Sequence, residues 1–205
     1  MLIYDIEIEN AILGKDETPY PDVKYCKGWS DHAGMGISCI GVYSYEDDRY
    51  RVFMRDNFDG FLNLLANHTV CVGFNSIGFD NRVILQYIKD EGVRRGLENY
   101  FKVASYDILA EIWKSLGLNP EKFYWGTHGG YGLDAMCEAN FGTKKTGNGA
   151  LAPVWFQRGE YGKLIDYCLN DVRLTKQLLD YILRVGHLKS PKGGFLDKIG
   201  KPNGF

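Results

Sequence analysis

Three short groups of residues are spaced for acid chemistry. Asp5 and Glu7 stand two apart in Leu2-Ile3-Tyr4-Asp5-Ile6-Glu7-Ile8. On an extended chain successive side chains alternate between faces, so both carboxylates leave one face while Ile6 and Ile8 leave the other. Asn75, Phe79 and Asp80 fall in Phe74-Asn75-Ser76-Ile77-Gly78-Phe79-Asp80, where a short apolar run meets the start of a helical pattern. Tyr167 and Asp171, in Tyr167-Cys168-Leu169-Asn170-Asp171, are four apart and share a helix face, whereas Asp166 is rotated away by about 100°. A cluster of four carboxylates at close range cannot stay ionised without cations, and hard oxygen donors select Mg²⁺ or Mn²⁺. Two such ions about 4 Å apart can clamp the attacking water and the leaving oxygen of an in-line displacement at phosphorus. Each group by itself has an ordinary reading: the wet face of a strand, a capped helix start with a turn asparagine, and two surface residues of a helix. Only convergence would make them a site.

The elements that must bring them together are legible as periodicity. Met1 to Glu9 reads as a strand buried at its apolar start and open at its C-terminal end, where sheets of α/β proteins bind ligands. Residues 10–35 carry Pro19, Pro21, Gly28 and Gly34 and read as one long loop. Gly36 to Tyr45 and Tyr50 to Met54 flank the polar turn of a hairpin; Phe58 to Ala66 is helical, and Val70 to Phe74 is a buried strand. The spacing predicts a helix over Phe79–Ile88, a strand over Val103–Tyr106, and a helix over Ile108–Leu116 capped by Asp107. A Gly-rich loop, Gly126 to Gly132, precedes a helix over Leu133–Asn140, and a second glycine loop, Gly142 to Gly149, carries Lys144 and Lys145. The longest helical pattern runs from Glu160 to Val185. This order predicts one α/β domain over 1–186, a mixed five-stranded sheet flanked by helices, followed by a basic Gly/Lys-rich tail over 187–205 with four lysines against one acid.

Composition removes several classes. With 205 residues, 24 Lys and Arg against 26 Asp and Glu, and a net charge of −2, the chain is not a polyanion-coating protein, so any nucleic-acid contact must be local. Its 25 glycines cluster in loops without the collagen period. Cys26, Cys39, Cys71, Cys137 and Cys168 have neither disulfide-framework nor zinc-ligand spacing and read as reduced, mostly buried thiols. No apolar run reaches the roughly 18 residues of a membrane span, and the acidic start is unlike a signal peptide. A cytoplasmic protein without a membrane partner is expected.

Taken in order, Asp5-x-Glu7, Asn75-x3-Phe79-Asp80 and Tyr167-x3-Asp171 resemble the three exonuclease motifs of the DEDD superfamily. The Tyr-x3-Asp form is that of the tyrosine subclass, DEDDy, and the wording is most similar to the proofreading exonuclease domain of family B DNA polymerases. The resemblance covers about residues 1–186. It implies an RNase H-like fold and hydrolysis of phosphodiesters from a free 3′ end by two Mg²⁺ or Mn²⁺ ions, with DNA favoured and a polymerase or other replication or repair protein as a partner. It further implies that Asp5, Glu7 and Asp171 hold the ion that activates water, that Asp5 bridges to a second ion supported by Asp80, and that Tyr167 orients the water. Asn75, Phe79, Lys144 and Lys145 would touch the substrate. Where many relatives follow the first glutamate with a Thr-Thr-Gly turn, this chain has Ile8-Glu9-Asn10, so Tyr20, Tyr25 or Trp29 of the 10–35 segment is the expected replacement. Phe123, Tyr124 and Trp125 are candidates for stacking on bases. The alternatives on the same fold are a non-catalytic binding module, set against the presence of all four acids and the tyrosine, and a structure-specific endonuclease, set against the tyrosine motif.

Overall fold

The computed structural model describes residues 1–143 and 147–204. Lys144 and Lys145 lie outside them. Strand β1 (Leu2–Glu7) is central, with antiparallel β2 (Cys39–Ser44) and β3 (Arg49–Met54) on one side and parallel β4 (Cys71–Gly73) and β5 (Ser105–Asp107) on the other, giving the order β3-β2-β1-β4-β5. The expected mixed five-stranded sheet is therefore present. β1 can occupy the centre because Leu2, Ile3 and Tyr4 are all buried, so its first half has no wet face.

Alternation along β1 sorts the two cores. Leu2, Tyr4, Ile6 and Ile8 pack with Phe61, Val83, Ile84 and Phe101 from α2 (Phe58–Ala66), α3 (Asp80–Tyr87) and α4 (Glu91–Ala104). Met1 and Ile3 pack on the opposite face with Ile112, Met136, Val172 and Leu178. These come from α5 (Ile108–Ser115), α7 (Leu133–Phe141) and α9 (Tyr161–Val185), with α6 (Trp125–His128) and α8 (Ala152–Gln157) between them. Asp5 and Glu7 continue the second face towards its open end.

Three expectations change. Val103 belongs to the last turn of α4 and not to a strand, because Asp90 caps a helix through Val93 N and the pattern then runs to Ala104 with Val103 facing solvent. The Gly126–Gly132 loop contains most of the short helix α6. The lysine-rich segment after α9 is a folded hairpin, β6 (Leu188–Lys189) with β7 (Phe195–Leu196), because Leu188, Leu196 and Ile199 bury themselves in the α9-side core. Its backbone is tied in as well: the Tyr106 hydroxyl donates to Gly200 O at 2.5 Å, and Asn140 bonds Lys189 N and O.

The long 10–35 segment holds one short helix, α1 (His32–Met35), and is pinned to the body. Arg158 grips the Asp22 carboxylate with two nitrogens, 2.8 and 3.0 Å away, and Gln157 accepts from Lys24 N at 2.7 Å while donating to Glu9 O at 2.8 Å. The Arg158 guanidinium holds the Asp22 pKa below its ordinary value.

Candidate active site

Asp5 is half-buried and Glu7 buried at the C-terminal end of β1. Together with Cys168 of α9 they form a group whose ligating atoms all lie within 4.8 Å of one another. Helix α9 reaches this depth because Gly41, the cross-strand neighbour of Asp5, has no side chain. A Cβ there would stand 2.9 Å from Cys168 Sγ and 3.0 Å from Val172 Cγ2. A glycine inside a strand marks just such a close approach. The Gly41 N–H donates to Cys168 Sγ at 3.1 Å, and that sulfur lies 3.6 Å from Asp5 O and 3.9 Å from Asp5 Oδ2. Contact with the Cys39 thiol, burial and the neighbouring carboxylates push the Cys168 thiol well above its ordinary pKa.

Asp80 arrives from the opposite edge of β1. Leu2 donates its N–H to Val70 O beside β4, so by alternation Ile6 also turns its N–H towards that side. β4 has ended by then, and the Asp80 Oδ1 accepts the Ile6 N–H at 3.1 Å in place of a strand partner. Its neighbour Asn81 fixes the start of α3 by accepting from the fully buried Tyr4 hydroxyl and donating to Ser105 Oγ at 3.1 Å. Burial raises the Tyr4 pKa strongly, which keeps that hydroxyl a donor.

The loop between β4 and α3 is held by Asp107, which the sequence marks only as a helix cap. It does cap α5, through Leu109 N and Ala110 N at 3.0 and 3.3 Å. The same carboxylate also accepts Asn75 N at 2.9 Å and Ile77 N at 3.0 Å, so one side chain fixes two strand-to-helix junctions. Burial raises its pKa, opposed by these four donors. Asn75 is thereby kept at φ 64°, a left-handed conformation that asparagine tolerates.

Tyr167 and Asp171 are both buried on α9, flanking Cys168 along the helix. The Tyr167 ring meets Trp155 edge-on at 5.9 Å, and the 147–149 backbone runs over it: a Cβ on Gly149 would stand 3.1 Å from the hydroxyl. Of the three residues expected to replace the turn, Trp29 is set against the second motif, with the His32 ring beside it 6.5 Å from Phe79. The Trp29 ring lies 6.2 Å from the Phe79 ring, and the residue is 73% exposed. Tyr25 and Tyr20 are engaged elsewhere, the first accepting from Tyr20 N and the second beneath Arg158. The approach of Cys168 was not legible as part of a site, although the glycine inside β2 was the available signal.

No family model matches the sequence, and no curated protein matches it. Among solved structures, the fold is similar to that of the family B DNA polymerase from the hyperthermophilic archaeon Pyrobaculum calidifontis, with TM-score 0.61 and 22% identity over 89% of this chain. The matched region is 24% of the polymerase chain, so this chain spans about a quarter of that protein. What the two share is the α/β fold with sheet order 3-2-1-4-5, the RNase H-like fold. No helix among the described residues is long and apolar enough to cross a membrane.

Proposed function

We propose that this chain is a metal-dependent 3′-to-5′ exonuclease of the DEDDy type, acting on the 3′ end of single-stranded or frayed nucleic acid, with DNA preferred. The observation that carries the reading is the convergence at the end of β1. Asp5 and Glu7 point at one place, Asp80 is bonded to the same strand at Ile6, and α9 brings Tyr167 and Asp171 on either side of a residue that touches Asp5. The fold supports it, since the polymerase with the similar fold belongs to the class whose proofreading domain the three motifs resemble.

The donor chemistry fits Mg²⁺ or Mn²⁺: the Asp5 and Glu7 carboxylates converge within 4.8 Å at the solvent-reaching end of a strand, and carboxylate oxygens are the hard donors such ions take. Asp5, Glu7 and Asp171 would hold one ion, and Asp5 with Asp80 a second. When bound, the pair supplies water activation and charge neutralisation at the phosphate and the leaving oxygen. The remaining work belongs to side chains. Tyr167, with a reference pKa of about 10, is a poor base at neutral pH and orients the attacking water by a hydrogen bond. Asn75 and Phe79 flank the terminal nucleotide, Trp29, beside Phe79, serves in place of the missing turn, and Lys144 with Lys145 meet phosphates.

The test is degradation of 5′-labelled single-stranded DNA and RNA of one sequence in Mg²⁺, in Mn²⁺ and in chelator. A metal-dependent ladder stepping from the 3′ end is expected, abolished in Asp5→Asn. Undiminished activity in that variant, or undiminished cleavage of a strand with a blocked 3′ terminus, refutes the reading.

A further inference from the structure

Lys163, Asp166, Asn170 and Arg173 recur at steps of three and four residues on α9 and, with Tyr167 and Trp155, line a cavity of about 520 Å³. We propose that this cavity binds a 5′-mononucleotide, its phosphate held by Arg173 and Asn170, its base against Trp155 and its free 3′ hydroxyl at Asp166. The inference rests on the exonuclease reading, whose product is such a nucleotide, and adds to it a binding site that uses none of the four acids.

An amide and a guanidinium define the phosphate end. Asn170 is 9% exposed, its Oδ1 accepts from Arg173 Nη1 at 3.2 Å, and its Nδ2 is buried without a hydrogen-bond partner among the described residues. A buried donor left open on a residue that lines a cavity calls for an acceptor from a ligand. The amide cannot be turned over, since its NH₂ would then face the guanidinium. Arg173 is exposed, and among the described residues it bonds Asn170 and no carboxylate. Its charge and its other N–H groups are therefore open to a phosphate, whose oxygens a guanidinium matches in pairs. Lys163, by contrast, is paired with Glu160.

The order of charges favours one nucleotide over a strand. Asp166 and Arg173 are seven residues apart, ~10 Å along the helix, a gap that a single nucleotide and the two side chains close. A strand laid along the same residues would bring a further phosphate against Asp166, whereas a mononucleotide brings a hydroxyl, which a carboxylate accepts. Trp155 is half-buried and braced by the Tyr167 ring at 5.9 Å, and it still lines the cavity, so it offers a fixed surface to a base. Tyr167 lines the cavity too, so a nucleotide cut free at the acids has one side chain to pass.

The experiment follows the full, isotopically labelled chain by NMR in chelator, where no metal can hold a nucleotide at Asp5 and Glu7. The probes are thymidine 5′-monophosphate, thymidine, thymidine 3′-monophosphate, inorganic phosphate and dodecathymidylate. Saturable shifts of the Trp155 indole and Asn170 side-chain amide signals are expected with the 5′-monophosphate, and binding weaker by about tenfold or more with each of the others. Arg173→Gln should weaken the 5′-monophosphate by about tenfold or more, and Asp166→Asn should erase the preference for the 5′- over the 3′-monophosphate. The comparison among probes needs no variant, so it stands even if a substitution disturbs folding. Absence of those shifts, unchanged affinity in Arg173→Gln, or inorganic phosphate or the dodecanucleotide bound as tightly as the 5′-monophosphate overturns the site. Ladder formation in Mg²⁺ by a chain that shows no such binding sinks this site and spares the exonuclease, while mononucleotide binding by a chain that never hydrolyses sinks the exonuclease alone.

Discussion

Gly41→Ala is the substitution that interrogates the site most directly without touching any of its polar groups. The added methyl would meet Cys168 Sγ at 2.9 Å and Val172 Cγ2 at 3.0 Å, two fully buried side chains of α9 packed between helix and sheet, while Cys168 O at 3.4 Å stays in ordinary contact. Helix α9 must lift from β1 and β2 by a few tenths of an ångström, or the sheet must bend. Overpacking of this kind costs about 1–3 kcal/mol. For a chain of this size each kcal/mol moves the melting temperature by about 2–4 °C, so a fall of roughly 2–12 °C is expected. Because Cys168 lies between Tyr167 and Asp171 and touches Asp5, the lift also spreads the site, and misplacement of reacting groups by ~1 Å can cost ~10²-fold in turnover. Calorimetric melting and the exonuclease assay read the two effects separately. A thermodynamic cycle with Cys168→Ala sharpens the test, since removing the sulfur makes room for half of the new contact. The double variant should be more stable than the two single losses added together. Strict additivity, or a Gly41→Ala chain as stable as the parent, would refute the close approach of α9 to β2 as the reason for glycine at this position.

Tyr167→Phe keeps the ring against Trp155 and loses the hydroxyl, so turnover should fall by about 10²-fold with KM changed little; a raised KM at unchanged turnover would make Tyr167 a substrate contact. Asp22→Asn should loosen the 10–35 segment at neutral pH, read as faster amide exchange there. Since the folded Asp22 pKa is depressed, its contribution is complete above the unfolded value and is lost as pH falls through the lowered one, so the wild type should approach the variant only in acid. Exchange in the variant equal to wild type at neutral pH would contradict the pinning role. Thiol titration of the native chain with an aromatic disulfide should find Cys26 reacting first, because the other four thiols are buried and burial pushes Cys71 up to about 11. Rapid reaction of all five would show that the core opens readily.

Local patterns carried the sequence reading a long way. The period-two stretch from Asp5 to Ile8 set both carboxylates on one face, Asp107 announced the start of α5, and the spacing of Tyr167 and Asp171 put them on one side of a long helix. Each depends on neighbours within a few residues, where backbone geometry alone decides direction. The mixed sheet followed from the order of such elements. What the sequence left open were contacts between residues far apart in the chain, because side-chain periodicity states which face is apolar and not what will cover it. The lysines after α9 read as a solvated tail, yet Leu188, Leu196 and Ile199 found an apolar surface to close. Asp107 had to be placed beside Asn75 and Ile77 before its second role existed. Asp80 became a neighbour of Asp5 only because β4 stops short and leaves the Ile6 N–H to be satisfied, and a buried donor without a partner costs too much to leave so. The depth at which α9 sits on the sheet, and with it the distance between the two halves of the site, was decided by the missing side chain of Gly41.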